Sequence, residues 1–294
     1  MSDTSSSGDF PDSDDSSWED DVLDLYEGGE PLWSRWILCH AHFQIERNVK
    51  TFVMYPLAGK KIKSINRRAE EREDHWRAEM VFLGYRYQLF LHAVSPVIGP
   101  WPLKNASYCI RQVKVPRDIY DAAPDRTKIT GRLQKLRAWW PHPKRKILEN
   151  ALKRQNLPPT INKMVCFGVG AGVDSRSADW TEHEGAATIH MTIQGQLPRP
   201  VRLLSHYIND TEPPPDTLTF LEKMGFETVG RDGVGGFLEV DRNTVVFSVN
   251  PHQPVKQVLA ELTRPAVIIT HTFRRSDLEW SPPIKDIGDF HGNG

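Results

Sequence analysis

The chain has 294 residues, 39% of them hydrophobic and 26% charged, with a formal net charge of −1. That is enough length for one large or two modest domains with a substantial core, and the composition is that of a globular protein. Near-neutrality excludes a whole-molecule field that would draw the protein to nucleic acid or an anionic membrane, and no apolar run approaches the ~20 residues of a spanning helix.

Residues 1–22 are almost all Ser, Asp, Glu, Gly and Thr. They cannot bury enough apolar surface to offset the entropy of ordering, so a disordered acidic tail is expected. Its serines among acids (Ser5, Ser6, Ser7, Ser13, Ser16 and Ser17) suit acidophilic kinases; otherwise the tail only solubilises. An acidic start is also the opposite of a secretory or transit signal. From Val22 an apolar pattern begins, and 31–45 reads as a short amphipathic helix on which His40 and His42, two apart, point to different faces. Lys60, Lys61, Lys63, Arg67, Arg68 and Arg72 run into Glu70, Glu71, Glu73 and Asp74, a mixture that reads as a solvated helix face. Only Trp76 is close enough in sequence to supply the aromatics that a nucleic-acid surface interleaves with its bases. Residues 80–94 read as strand or buried helix, and 108–115 alternate as a strand does. Residues 127–140 and 144–154 read as helices, the second with Ile147, Leu148, Ala151 and Leu152 on its buried side. Residues 23–143 are thus expected to form an α+β region.

From residue 144 the pattern changes. Met164-Val165-Cys166-Phe167 is the apolar run of a buried parallel strand, stopped abruptly by Gly168-Val169-Gly170-Ala171-Gly172. Glycines at alternate positions permit a tight turn and leave amides unshielded. A helix capped by Asp174 or Ser175 would aim its positive end at an anion there. Residues 178–194 read as a crossover helix, 201–204 as the second strand, 215–224 as a helix stopped by Gly225, and 226–229 as the third strand. Phe237-Leu238-Glu239-Val240 reads as an edge strand or a cap. Thr244-Val245-Val246-Phe247-Ser248-Val249 is the clearest buried strand; Pro251-His252-Gln253-Pro254 then leads a helix over 255–262, and 265–270 is another strand. Strands alternating with helices at this spacing require parallel pairing and right-handed crossovers, giving a doubly wound α/β domain over 144–280 before a flexible tail at 281–294.

Ligands of such domains bind beyond the carboxyl ends of the strands. Gly168, Gly170 and Gly172 are therefore the cofactor-binding candidates, for a nucleotide or S-adenosylmethionine; the alternative is a tight turn without a ligand. A nucleotide also wants an acid at the end of the second strand to hold ribose hydroxyls. Ser205, His206 and Tyr207 stand there, and Asp210 comes late. His252, held between prolines, is a cleft candidate for acid–base work or metal ligation, or else part of a helix-entry turn. Lys256, one turn on, and His271, after the last strand, are expected to face the same crevice. Cys39, Cys109 and Cys166 form no C-x-x-C pair, which argues for reduced thiols and against a disulfide framework or cysteine-rich zinc site. Cys166, within a strand, reads as a core thiol. Haem would need an exposed Cys or His ligand, which the lone histidines permit and their spacing does not support.

Val165-Cys166-Phe167-Gly168-Val169-Gly170, Met224-Gly225-Phe226, Gly236-Phe237-Leu238-Glu239-Val240-Asp241, Thr244-Val245-Val246-Phe247-Ser248, Pro251-His252-Gln253-Pro254-Val255-Lys256-Gln257 and Arg264-Pro265-Ala266, in that order and spacing, resemble the sensitivity-to-red-light-reduced-like (SRR-like) domain family in a form similar to its fungal branch. The match covers residues 145–275. The resemblance implies a Rossmann-like, three-layer αβα domain with a mostly parallel sheet, in cytoplasmic or nuclear proteins. Members are linked to circadian and light regulation in plants, haem-linked regulation in animals and microtubule-related phenotypes in yeast, and no established reaction comes with the family. One departure concerns an Asp-Pro that members carry after the second strand. Here that stretch reads Tyr207-Ile208-Asn209-Asp210-Thr211, leaving Asp210 alone. The resulting expectation is a regulatory binding protein with protein partners and neither membrane nor nucleic acid among them. The competing class is a methyltransferase-like group-transfer enzyme with an adenosyl cofactor in the glycine-lined crevice.

Overall fold

The structure, a computed structural model, describes residues 31–55, 61–67, 76–82, 107–114, 123–139, 143–168, 182–206, 215–230, 232–248 and 254–270. Helix α1 (Arg35–Glu46) starts where Ser34 Oγ accepts the Ile37 amide at 3.2 Å, and it buries Leu38, Ala41 and Gln44. Two antiparallel ribbons follow. Strands β1 (Thr51–Met54) and β2 (Ile62–Ile65) pair with Thr51 opposite Ile65, and β3 (Trp76–Phe82) and β4 (Tyr108–Lys114) with Trp76 opposite Lys114. Helices α2 (Arg126–Trp139) and α3 (Pro143–Lys153) lead to the five-stranded sheet.

That sheet comprises β5 (Lys163–Phe167), β6 (Arg202–His206), β7 (Glu227–Val229), β8 (Thr244–Ser248) and β9 (Val267–Thr270). Helices α4 (Glu182–Gln194), α5 (Pro215–Lys223), α6 (Gly235–Glu239) and α7 (Val255–Leu262) separate the strands in turn. The spatial order is β7-β6-β5-β8-β9 and every pairing is parallel, so the protein is a mixed α/β fold. Side chains alternate across the sheet as the pleat demands. Met164, Cys166, Leu203, Val245 and Phe247 enter one apolar cluster with Ile129 of α2, Leu152 of α3, Ile189 of α4 and Phe220 of α5. Val165, Phe167, Leu204 and Val246 enter the other, with Phe237 of α6 and Val258 of α7. Leu38, Phe52, Met80 and Tyr108 belong to that second cluster too, so α1 and both ribbons share a core with the sheet. Among the described residues no helix is long and apolar enough to cross a membrane.

Three expectations are corrected. Residues 237–240 are not an edge strand; Phe237, Leu238 and Glu239 belong to α6, whose start Asp232 fixes by accepting the Val234 and Gly235 amides. The first part of the basic stretch is a strand and not a helix face, because β1 pairs with residues 62–65, a long-range choice that charge spacing cannot show; its remainder, from residue 68, lies outside the described residues. In α3, Ile147 is 68% exposed and Ala151 is exposed as well; the helix leans on α4 with Leu152 buried and Leu148 partly buried against the core, as expected of those two. Residues 68–75, 83–94 and 178–181 lie outside the described residues.

Candidate functional site

The chain runs outward from β5 through β6 to β7 and returns to β8 on the other side of β5, so the sheet reverses direction between β5 and β8. In such sheets the crevice beyond the strand ends at this reversal is where ligands bind. Phe167, the last residue of β5, pairs with His206 on one side and Ser248 on the other, so all three strands end level. Gly168 then turns out of β5 with φ +72°, the left-handed conformation that favours glycine. The chain therefore leaves the neighbouring strands β5 and β8 at the same end of the sheet. Gly170, Gly172, Asp210, His252 and His271 lie outside the described residues, and Lys256 is exposed on the first turn of α7.

What the described residues bring together at this end is a group of three: His206, Asp232 and His42. His206 ends β6 with its imidazole fully buried, its ring centroid 5.0 Å from that of Phe167 and 5.4 Å from that of Phe237. Its Nδ1 accepts the Gly236 amide at 3.1 Å, which leaves the proton of the neutral ring on Nε2. Nε2 itself is buried and meets no partner at hydrogen-bonding distance among the described residues. Burial pushes the His206 pKa down to about 4, against the opposing pull of the Asp232 charge and of the Val229 and Gly233 carbonyls. The ring is therefore neutral near pH 7.

Glycines make room for it. A Cβ on Gly236 would sit 2.3 Å from His206 Cγ, and one on Gly230, whose φ is +73°, would sit 2.2 Å from Nδ1. The loop between them also holds the N-terminal region. Asp232 O accepts the Met80 amide of β3 at 2.7 Å, and a Cβ on Gly233 would strike Met80 O. The Asp232 carboxylate, 4% exposed, accepts the Val234 and Gly235 amides through Oδ1 and bonds His42 Nδ1 through Oδ2. Burial would raise the Asp232 pKa, but the His42 hydrogen bond and charge and the two amides together hold it below the ordinary carboxylate value. The same hydrogen bond raises His42. His40, the neighbour two residues back, instead stacks on Trp36, as the helical spacing predicts.

No family model, curated protein or solved structure matches the chain. The reading of this end therefore rests on its own chemistry. His42 with Asp232 makes a histidine oriented by a carboxylate, its other ring nitrogen turned from the pair; the side chain is 38% exposed. Cys166 supplies no nucleophile, since burial raises its thiol pKa strongly and its side chain lies in the core, as the strand assignment predicts. Sequence reasoning noted His206 and His42 singly and passed over Asp232. The available signal was the density of glycine around it, Gly230-Arg231-Asp232-Gly233-Val234-Gly235-Gly236, which reads locally as a turn and nothing more.

Proposed function

We propose that this is a regulatory binding protein built on a Rossmann-like domain of the SRR-like kind, working in the cytoplasm or nucleus through protein partners. The observation that carries the reading is His206. A dinucleotide or adenosyl ligand needs a carboxylate at the tip of the second strand, reaching outward to ribose hydroxyls. This chain puts there an uncharged imidazole, turned inward and wedged beneath two glycines that leave it no room to swing. Investment in rigidity at that position suits a scaffold that presents a surface more than a pocket that opens for a cofactor.

The second reading, an adenosyl-dependent group-transfer enzyme, draws on Gly168: its left-handed turn at the reversal point begins the run Gly168, Gly170, Gly172. Thermal melting of the full chain with S-adenosylmethionine, NAD, NADP and haem separates the two. The expected result is an unchanged midpoint with all four. A rise of several degrees with one of them, abolished by Gly170→Trp, would move the protein to the enzyme or sensor class.

A further inference from the structure

The near-neutral net charge conceals a polar division of the chain. Of its 38 acids, eleven fall in residues 1–30, which contain no lysine or arginine, so the remainder carries a formal charge of +10. The basic side of that division has a visible focus. Residues 47–55 and 61–67, which form and flank β1 and β2, hold Arg47, Lys50, Lys61, Lys63 and Arg67 and no acid. The structure brings aromatics to these bases, which the linear sequence did not suggest. Tyr55 receives Trp36 edge-on at 4.9 Å and Lys61 over its face at 5.1 Å, while Arg47 lies over the Phe43 ring at 5.7 Å and Arg67 over Trp76 at 5.2 Å. Lys61, Lys63, Ile65 and Arg67 alternate along the outward side of β2. Trp36, Phe43 and Ile65 are each more than half exposed, so α1 and the first ribbon present exposed aromatic and basic side chains, with Glu46 as an exposed acid at the end of α1. A face of this kind calls for an occupant with acids and apolar groups together.

We propose that the acidic segment 1–30 of the same chain covers this face in cis. That segment lies outside the described residues, and three features fit it to the surface. Its charge is opposite and of nearly equal size. Phe10, Trp18, Val22, Leu23, Leu25 and Tyr26 are interspersed among its acids, matching Trp36, Phe43 and Ile65. Its end, Glu30, is six residues from Trp36, so the attachment point lies beside the surface and the tether sets a high effective concentration. A ribbon of this length spans on the order of 15 Å, which five or so extended residues cover. The segment acts as a built-in competitor: any other polyanion must displace it to reach Trp36 and Lys61. Serines among its acids let phosphorylation strengthen the same attraction.

Zero-length carbodiimide cross-linking of the full chain, read by mass spectrometry, tests the contact, because it joins a carboxylate to an amine only where the two meet. Acids of residues 1–30 should couple to Lys61 and Lys63 several-fold more than to Lys146, which is exposed on α3 across the sheet. Salt at about 1 M, where the screening length falls to ~3 Å, should suppress those links. Equal coupling to Lys146 would overturn the proposal, as would links that join two chains in a mixture of isotope-labelled and unlabelled protein. A second measurement follows a fluorescein-labelled oligothymidylate. Replacing the acids of residues 1–30 by Asn and Gln should tighten its binding about tenfold or more. Equal and measurable affinity for both chains would make the face an open nucleic-acid platform and overturn docking in cis.

Discussion

His206 and the glycines around it show how one side chain can dictate its neighbours. Gly236 approaches the imidazole so closely that even a methyl group cannot be added without moving the ring, and Gly230 adds a left-handed φ to the same restriction. Gly236→Ala should therefore cost about 1–3 kcal/mol in urea unfolding, the range of overpacked cores. The loss should shrink in His206→Ala/Gly236→Ala, where the obstructing ring is gone; simple additivity of the two single losses would refute the collision. The ring also sets a pH dependence. Its folded pKa of about 4 lies below the unfolded 6.5, so its contribution to stability is complete above pH 6.5 and is lost as the pH falls toward 4, when only the unfolded chain binds the proton. His206→Asn, which keeps an acceptor where Nδ1 stands, should flatten that slope between pH 6.5 and 4, measured as unfolding free energy against pH. A wild-type loss of about 2–3 kcal/mol over this window is expected.

At the scale of elements, α1 behaves as a strap. It inserts Leu38 and Ala41 into the core shared with the sheet and ties down β1 through Gln44, which bonds both the amide and the carbonyl of Val53. It reaches the glycine loop through His42. Removing that imidazole leaves the buried Asp232 carboxylate with its two amides and, among the described residues, no cation bonded to it, so His42→Ala should cost about 1–2 kcal/mol, measured as the urea midpoint at constant m value. Asp232→Asn should cost less, since Asn Oδ1 still accepts the Val234 and Gly235 amides that start α6. The pair has its own pH window. His42, raised, contributes fully below its unfolded 6.5 and loses that contribution as the pH climbs through its folded value; Asp232, lowered, contributes fully above its unfolded 3.8 and loses it on acidification. The difference between wild type and His42→Ala should thus be greatest between about pH 4 and pH 6.5 and decline above.

For the whole molecule, the decisive fact is that the apolar cluster on one face of the sheet continues into α1 and both ribbons. Trp33 belongs to that cluster, fully buried, its indole N–H bonding Ser107 O at 2.8 Å and its amide bonding the Glu261 carboxylate of α7 at 2.7 Å. Trp33→Ala should lower stability by about 3–5 kcal/mol, and by the same amount whether tryptophan fluorescence or far-ultraviolet circular dichroism follows the unfolding. Coincident transitions are expected in the wild type as well. A separate early transition of the N-terminal region would show that the shared core does not couple the two parts.

The sequence by itself determined the alternating α/β order of the second half. Strands such as Thr244–Ser248 and helices such as Val255–Leu262 depend on local apolar period, and Gly225 stops α5 with a positive φ where the pattern ends. It determined less of the first half, where short strands find partners at long range. Lys61 and Lys63 looked helical until β1 supplied its edge, and residues 237–240 read as an edge strand or a cap until the Asp232 carboxylate fixed the start of α6. Of the site, the sequence showed the position of His206 but not its inward turn. The pairing of His42 with Asp232, 190 residues apart, and the gathering of Trp36, Tyr55 and Trp76 onto the basic ribbon were decided only by tertiary structure. The physical reason is common to all three. Periodicity records how a segment divides apolar from polar within a few turns, whereas burial of a charge or exposure of an aromatic depends on which distant backbone arrives beside it.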